Sequence, residues 1–305
     1  MKTISNDILS MSVEEHGAEL VSIKKGGREY VWQAYPEYWG RHSPVLFPIV
    51  GALWNEKYYT HGETFMMGQH GFARDMDFRL LSESETELWY ELTSNEKTLQ
   101  KYPWAFNLKI GYILHDNVVD VMWRVRNTGT ENMSFQIGAH PAFYYPLLSD
   151  DTIAEGIAAM EKRLADDKER GFLFLKPATD SVKSSVITKN GCVDAEAEKE
   201  ITLENGYLAL DTDSFNDDAL IIEDGQVEAV TLCDQNRTPY LTLQFDAPLV
   251  GIWSPPGKNA PFICIEPWYG RTDSVGYNDY FEDRKWMQTL GLGREFVASY
   301  QIIIE

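Results

Sequence analysis

Apolar and polar residues alternate with a period of two along most of the chain. Turn-forming residues bound the alternating runs, and this pattern predicts strands rather than helices. ILSMSVEEHGAELVSIKKGGREYVW (8–32) reads as strands punctuated by Gly17 and by a Gly26-Gly27 hairpin turn. ELWYELTS continues the pattern, and NLKIGYILHDNVVDVMWRVRN reads as a hairpin turning at His115-Asp116-Asn117. SFQIGAH follows the polar turn NTGTEN. Later runs are EITLENGYLAL, ALIIED, AVTLCDQ, YLTLQFD, LVGIWSP, PFICIEPW and FVASYQIIIE. About thirteen short strands with scattered turns predict a large all-β sandwich or barrel. Helical patterning is minor. NEKTLQKYP predicts a short helix ending before Pro103, and EGIAAMEKRLADDKERG predicts a longer one with Gly171 as its stop. No internal repeat, low-complexity segment or linker interrupts residues 1–305, so the reading is one continuous domain.

Composition narrows the functions open to such a scaffold. With 44% hydrophobic and 13% aromatic residues in 305, there is material for a sizeable core. A net charge of −20, from 27 basic and 47 acidic side chains, argues against nucleic acid or an anionic membrane as partner. Cys192, Cys233 and Cys264 match neither a zinc pattern nor a disulfide framework and read as reduced thiols of a cytoplasmic protein. The polar, acidic start does not read as a signal peptide, and no apolar run approaches the roughly 20 residues of a membrane helix.

Three segments concentrate groups that strands do not need. GQHGFARDMDF (68–78) crowds His70, Arg74, Asp75 and Asp77 among glycines and phenylalanines, which suits a polar ligand with an apolar face. In IGAHPAF (137–143), Pro141 biases His140 towards extended geometry, so its ring is expected to project from a strand end. Taken alone, that histidine reads first as a satisfied core residue. In PFICIEPWYGRTDS (261–274), Glu266 ends an apolar run, where loss of water raises a carboxyl pKa towards the range useful to a general base; the alternative is a buried pair with Arg271. RHSPVLFPIVGALW (41–54) reads chiefly as core, with His42 a lesser candidate. No two histidines have ligand spacing, so no metal is expected. No phosphate loop, dinucleotide fingerprint or G-x-S-x-G elbow occurs, and no cofactor is expected.

Taken in order, SPVLFPIVGAL, QHGFARDMDF, GAHPAF and CIEPWYGRTDS resemble the aldose 1-epimerase (galactose mutarotase) superfamily, in particular its LacX-like branch, over about Leu9 to Ile304. The resemblance implies a large antiparallel β-sandwich of the galactose mutarotase type, a super-sandwich with few short helices. It implies cofactor-free interconversion of the α and β anomers of an aldohexose by ring opening and closure. By motif, Glu266 matches the base that takes the C1 hydroxyl proton, His140 the acid at the ring oxygen, and His70 the second histidine on the sugar. Asp218 matches the aspartate that holds ring hydroxyls, with Asp217 its neighbour, and Trp268 offers an aromatic face. Galactose-specific members carry an arginine where Ala52 stands here, and Arg74, then Arg41, are the expected substitutes. Hexose-6-phosphate mutarotases hold phosphate with basic residues, for which Arg74, Arg41, Arg271 and Lys258 are available. The implied partner is a small sugar, free or phosphorylated, and the expected state is a monomer or homodimer. Competing readings are a sugar-binding sandwich without turnover and a glycoside hydrolase, which needs a second carboxylate opposite Glu266.

Overall fold

The computed structural model describes residues 1–166, 170–211 and 213–305. Two large sheets dominate it, and the strands within each pair antiparallel. One sheet has nine strands, in the order Tyr207–Ala209, Phe172–Lys176, Ala229–Cys233, Pro239–Phe245, Glu295–Ile304, Val118–Asn127, Phe106–His115, Glu87–Thr93 and Arg79–Glu83. The other has eight: Val193–Thr202, Ser181–Ile187, Leu220–Ile222, Leu249–Trp253, Phe262–Tyr269, Ile137–Ala139 and Val45–Leu46, with Ala142–Tyr144 also paired to Phe262–Tyr269. A four-stranded sheet of residues 2–29 completes the main architecture.

Period-two alternation accounts for the sandwich. Leu108, Ile110, Tyr112 and Leu114 of one long strand, and Val119, Val121, Trp123 and Val125 of its neighbour, are buried. They join Ile222, Val250, Ile252, Ile263 and Ile265 of the opposite sheet in one apolar core that runs from Ile4 to Ile304. The expected hairpin is present with a tighter turn than expected. His115 pairs with Val118, leaving a two-residue turn in which Asp116 has φ 46°. Strands outnumber the expected thirteen, in part because polar ones such as Ser181–Ile187 and Val193–Thr202 lack clean apolar alternation. The described residues contain three short α-helices, Glu96–Leu99, Asp150–Ala154 and Ile157–Asp166. Asn95 caps the first with its side chain. The last lies within the helix expected over 155–171, whose residues 167–169 fall outside the described ones.

The strand Phe262–Tyr269 decides where chemistry can occur. Its Ile263 and Ile265 face the core between the sheets, while Phe262, Cys264, Glu266 and Trp268 alternate onto the outer face. That face is covered too, by aromatic clusters around Trp32 and Trp268, so the strand is buried on both sides. Gly251 lies directly across the ladder from Glu266, and a Cβ there would come within 2.5 Å of the Trp268 indole. The missing side chain lets the indole lie over the neighbouring strand beside the carboxylate.

Candidate active site

Glu266, His140 and His70 converge on the outer face of the eight-stranded sheet. Glu266 is 1% exposed. Its Oε2 lies 3.3 Å from His140 Nε2, close enough for a proton to pass but without the alignment of a hydrogen bond. Burial, reinforced by the nearby Asp218 carboxylate, raises the Glu266 pKa well above the ordinary range. His140 stands just beyond the strand Ile137–Ala139, as its proline neighbour suggested, stacked on Trp39 at 4.8 Å and edge-on to Trp253 at 5.6 Å. Burial lowers its pKa to about 3, and the Arg74 and Arg41 guanidinium groups add to that against a contact with its own backbone. Both groups therefore favour their neutral forms, and the pair holds a single exchangeable proton.

His70 has its tautomer fixed by the backbone. Its Nδ1 accepts from Gly51 N–H at 3.1 Å, so Nε2 carries the proton. Its own backbone N–H returns a bond to Gly51 C=O at 2.8 Å. Gly51 has φ 70°, and a Cβ on it would sit 2.4 Å from the Thr272 Cβ, so only glycine fits this clamp. Burial first, then the nearby His140, Arg74 and Arg41, pushes the His70 pKa well down, leaving a neutral imidazole that donates through Nε2.

These groups line an open cavity of about 450 Å³ together with Gln69, Asp218, Trp253, Trp268 and Thr272. Asp218 lines it and adopts φ 79°, while Asp217 turns outward to Lys199 at 3.5 Å. Buried polar atoms without a hydrogen-bond partner among the described residues cluster here: His140 Nδ1, Glu266 Oε2 and Trp268 Nε1. Unpartnered polar groups are costly, and their concentration in one cavity is what a polar ligand relieves.

Other sequence candidates lie elsewhere. Arg41 and Arg74 stand beside the cavity, sharing Asp75 at 2.8 and 3.8 Å, and Arg74 also donates to the Gln69 carbonyl. Asp77 pairs with His16 at the surface. Arg271 is buried against Glu223 at 2.9 Å, not against Glu266. Lys258 holds the carbonyls of Glu37 and Tyr38, beside Trp39. His42 adjoins Glu19, which accepts the backbone N–H groups of His42 and Ser43. Sequence reasoning missed Trp39 and Trp253, which hold the His140 ring, because their spacing carries no distinguishing pattern among nine tryptophans. It also missed that the fold brings Cys264 to His140 and Glu266: one donor atom from each lies within 4.8 Å of the others.

A family model described as aldose 1-epimerase matches residues 1–279. The chain belongs to the aldose 1-epimerase family. It is 30% identical over 289 residues to the chromosomal protein LacX of Lactococcus lactis subsp. lactis, covering 92% of this chain and 91% of that one. Among solved structures it is similar to a galactose mutarotase related enzyme from Lactobacillus acidophilus, with TM-score 0.88 and 34% identity over 100% of this chain and 97% of that one. A galactose mutarotase-like protein from Lactobacillus casei has TM-score 0.87 and 28% identity over the whole of both chains. Membership of the aldose 1-epimerase family and these full-length likenesses support a mutarotase-type enzyme. Ala52 is buried near Gly191, and no arginine or lysine is among the described residues lining the cavity.

Proposed function

We propose that the protein is an aldose 1-epimerase that interconverts the α and β anomers of an aldohexose, with Glu266 and His140 as its proton-exchanging pair. The observation that carries this reading is the 3.3 Å contact between a buried carboxyl and a buried imidazole that both line one open cavity. One proton on such a pair has two arrangements, a carboxylic acid beside an imidazole or a carboxylate beside an imidazolium. The second is the reactive one, and it forms by transfer across the contact without any exchange with solvent.

The chemistry then balances within the site. Glu266 takes the proton from O1 as the C1–O5 bond breaks and C1=O1 forms, while His140 gives its proton to O5. Rotation about C1–C2 presents the other carbonyl face, and closure reverses both transfers. His70, neutral and donating through Nε2, suits a hydrogen bond to the ring oxygen or a neighbouring hydroxyl. Asp218 suits acceptance from ring hydroxyls. Positioned acids and bases each contribute about 10²–10⁴-fold, enough for a reaction that already proceeds unaided.

A second reading, the 6-phosphate of such a sugar as substrate, rests on Arg41 and Arg74, which stand beside the cavity rather than in its lining and share Asp75. Arg271 and Lys258 are engaged elsewhere and add nothing to it. Polarimetry on anomerically pure aldoses, with and without 6-phosphate, tests the proposal. Catalysed approach to rotational equilibrium supports it. Thermal stabilisation by sugars without acceleration of any would mean a binding protein instead, and release of a new reducing end from a glycoside would mean a hydrolase acting through Glu266 and Asp218.

A further inference from the structure

Cys264 has no part in the proton transfers, yet it lies two residues before Glu266 on the same outer face of one strand. Its thiol is fully buried and joins His140 and Glu266 in a cluster with one nitrogen, one sulfur and one oxygen donor, all within 4.8 Å of one another. Around a tetrahedral ion with bonds of about 2.0–2.3 Å, neighbouring donors stand roughly 3.5 Å apart. The His140–Glu266 contact already meets that spacing, and the thiol, within 4.8 Å of both donors, needs to move by no more than about an ångström. Two further observations point to an incoming ligand. Glu266 Oε2 is buried without a hydrogen-bond partner among the described residues, and the cluster borders a cavity from which an ion can enter.

We propose that His140, Cys264 and Glu266 form an inhibitory site for a thiophilic divalent ion, with Zn²⁺ the archetype. The donor set selects the ion. A thiolate with an imidazole favours Zn²⁺ or Cd²⁺ over Mg²⁺ and Ca²⁺, which need more oxygen ligands. Three protein donors leave a fourth position towards the cavity. Binding releases the thiol proton and the proton shared by His140 and Glu266. It occupies both partners of the acid–base pair, so the bound enzyme cannot open a sugar ring. The binding claim stands on the donor geometry alone; the inhibition rests on the proposed mutarotase activity.

Titration of the chelator-free protein with zinc chloride alone tests the two claims separately. Calorimetry is expected to give one Zn²⁺ per chain, and Co²⁺ in its place a thiolate-to-metal charge-transfer band. Cys264→Ala should lose that band and bind Zn²⁺ about tenfold or more weaker. In polarimetry the wild type should be inhibited and restored by EDTA, while Cys264→Ala keeps the uninhibited rate and escapes inhibition. Cys264→Ser, which preserves side-chain size, replaces the alanine variant if the latter fails to fold. Absence of stoichiometric binding, or equal Zn²⁺ affinity in wild type and variant, overturns the site. If no sugar is turned over, Cys264-dependent binding by calorimetry still upholds it, so failure of the activity and failure of the site are told apart.

Discussion

Glu266 and His140 owe their properties to the same cause acting on opposite chemistries. Burial penalises the charged form of each, so it raises the carboxyl and lowers the imidazole, and the arginines beside the cavity deepen the second shift. Charge appears on the pair only as a pair, when the proton crosses between them. Asp218 adds a negative charge close enough to raise Glu266 further, and its carboxylate can accept hydrogen bonds from hydroxyls at the cavity wall. Asp218→Asn keeps the shape and removes the charge. Initial rates over a range of sugar concentrations should show KM rising by about tenfold, the worth of one charge-assisted hydrogen bond. An unchanged KM would remove Asp218 from the sugar.

At the scale of elements, the site depends on a strand that carries core residues on one face and chemistry on the other. Gly251 is the point where neighbouring strands permit this, because the Trp268 indole crosses it. Gly251→Ala should force the indole aside at a cost of about 1–3 kcal/mol, seen as a lower urea midpoint, and should lower kcat/KM by disturbing Glu266. Equal stability and activity would show that the strand tolerates the methyl group. The half-buried hairpins were legible from the sequence because their alternation is clean, as in Phe106–Asn127. Ser181–Ile187 and Val193–Thr202 were not, since Ser, Lys and Glu occupy so many of their positions. In the site, Glu266, His140, His70 and Asp218 could be picked out through the family motifs. The ring-holding Trp39 and Trp253 could not, because only the fold brings residues 39, 140 and 253 together. Cys264 was hidden for a related reason: it is 124 positions from His140 in the chain and pairs with it only across strands.

At the scale of the whole molecule, buried ion pairs join segments distant in the chain behind the cavity. Arg284 bonds Asp273 and Gln136, whose side chains accept the backbone N–H groups of Trp54 and Val50 and so hold the segment that carries Gly51. Glu223 gathers Arg271, Lys285, Trp286 and Ser185. Burial alone would raise the Glu223 carboxyl, but hydrogen bonds from Ser185 and Trp286, with the charges of Arg271 and Lys285, outweigh it and bring the pKa down to about 2. A lowered folded-state pKa contributes stability above the unfolded-state value near 4.5, and that stability is lost as pH falls towards 2. Glu223→Gln should therefore cost on the order of 3 kcal/mol at pH 7 and flatten the loss between pH 4.5 and 2 in acid-dependent chemical denaturation. A parallel loss in both proteins would assign the acid sensitivity to other groups.

In the proposed mechanism, anomers exchange through the proton shared by Glu266 and His140. Magnetisation-exchange NMR on equilibrated aldose measures that rate directly, with wild type and Glu266→Gln compared at equal concentration after both are shown to be folded by circular dichroism. Glu266→Gln keeps the side-chain shape and removes the proton exchange, so the enzyme-dependent rate should fall by about 10²–10⁴-fold. A variant that exchanges anomers as fast as the wild type would rule out Glu266 as the proton acceptor.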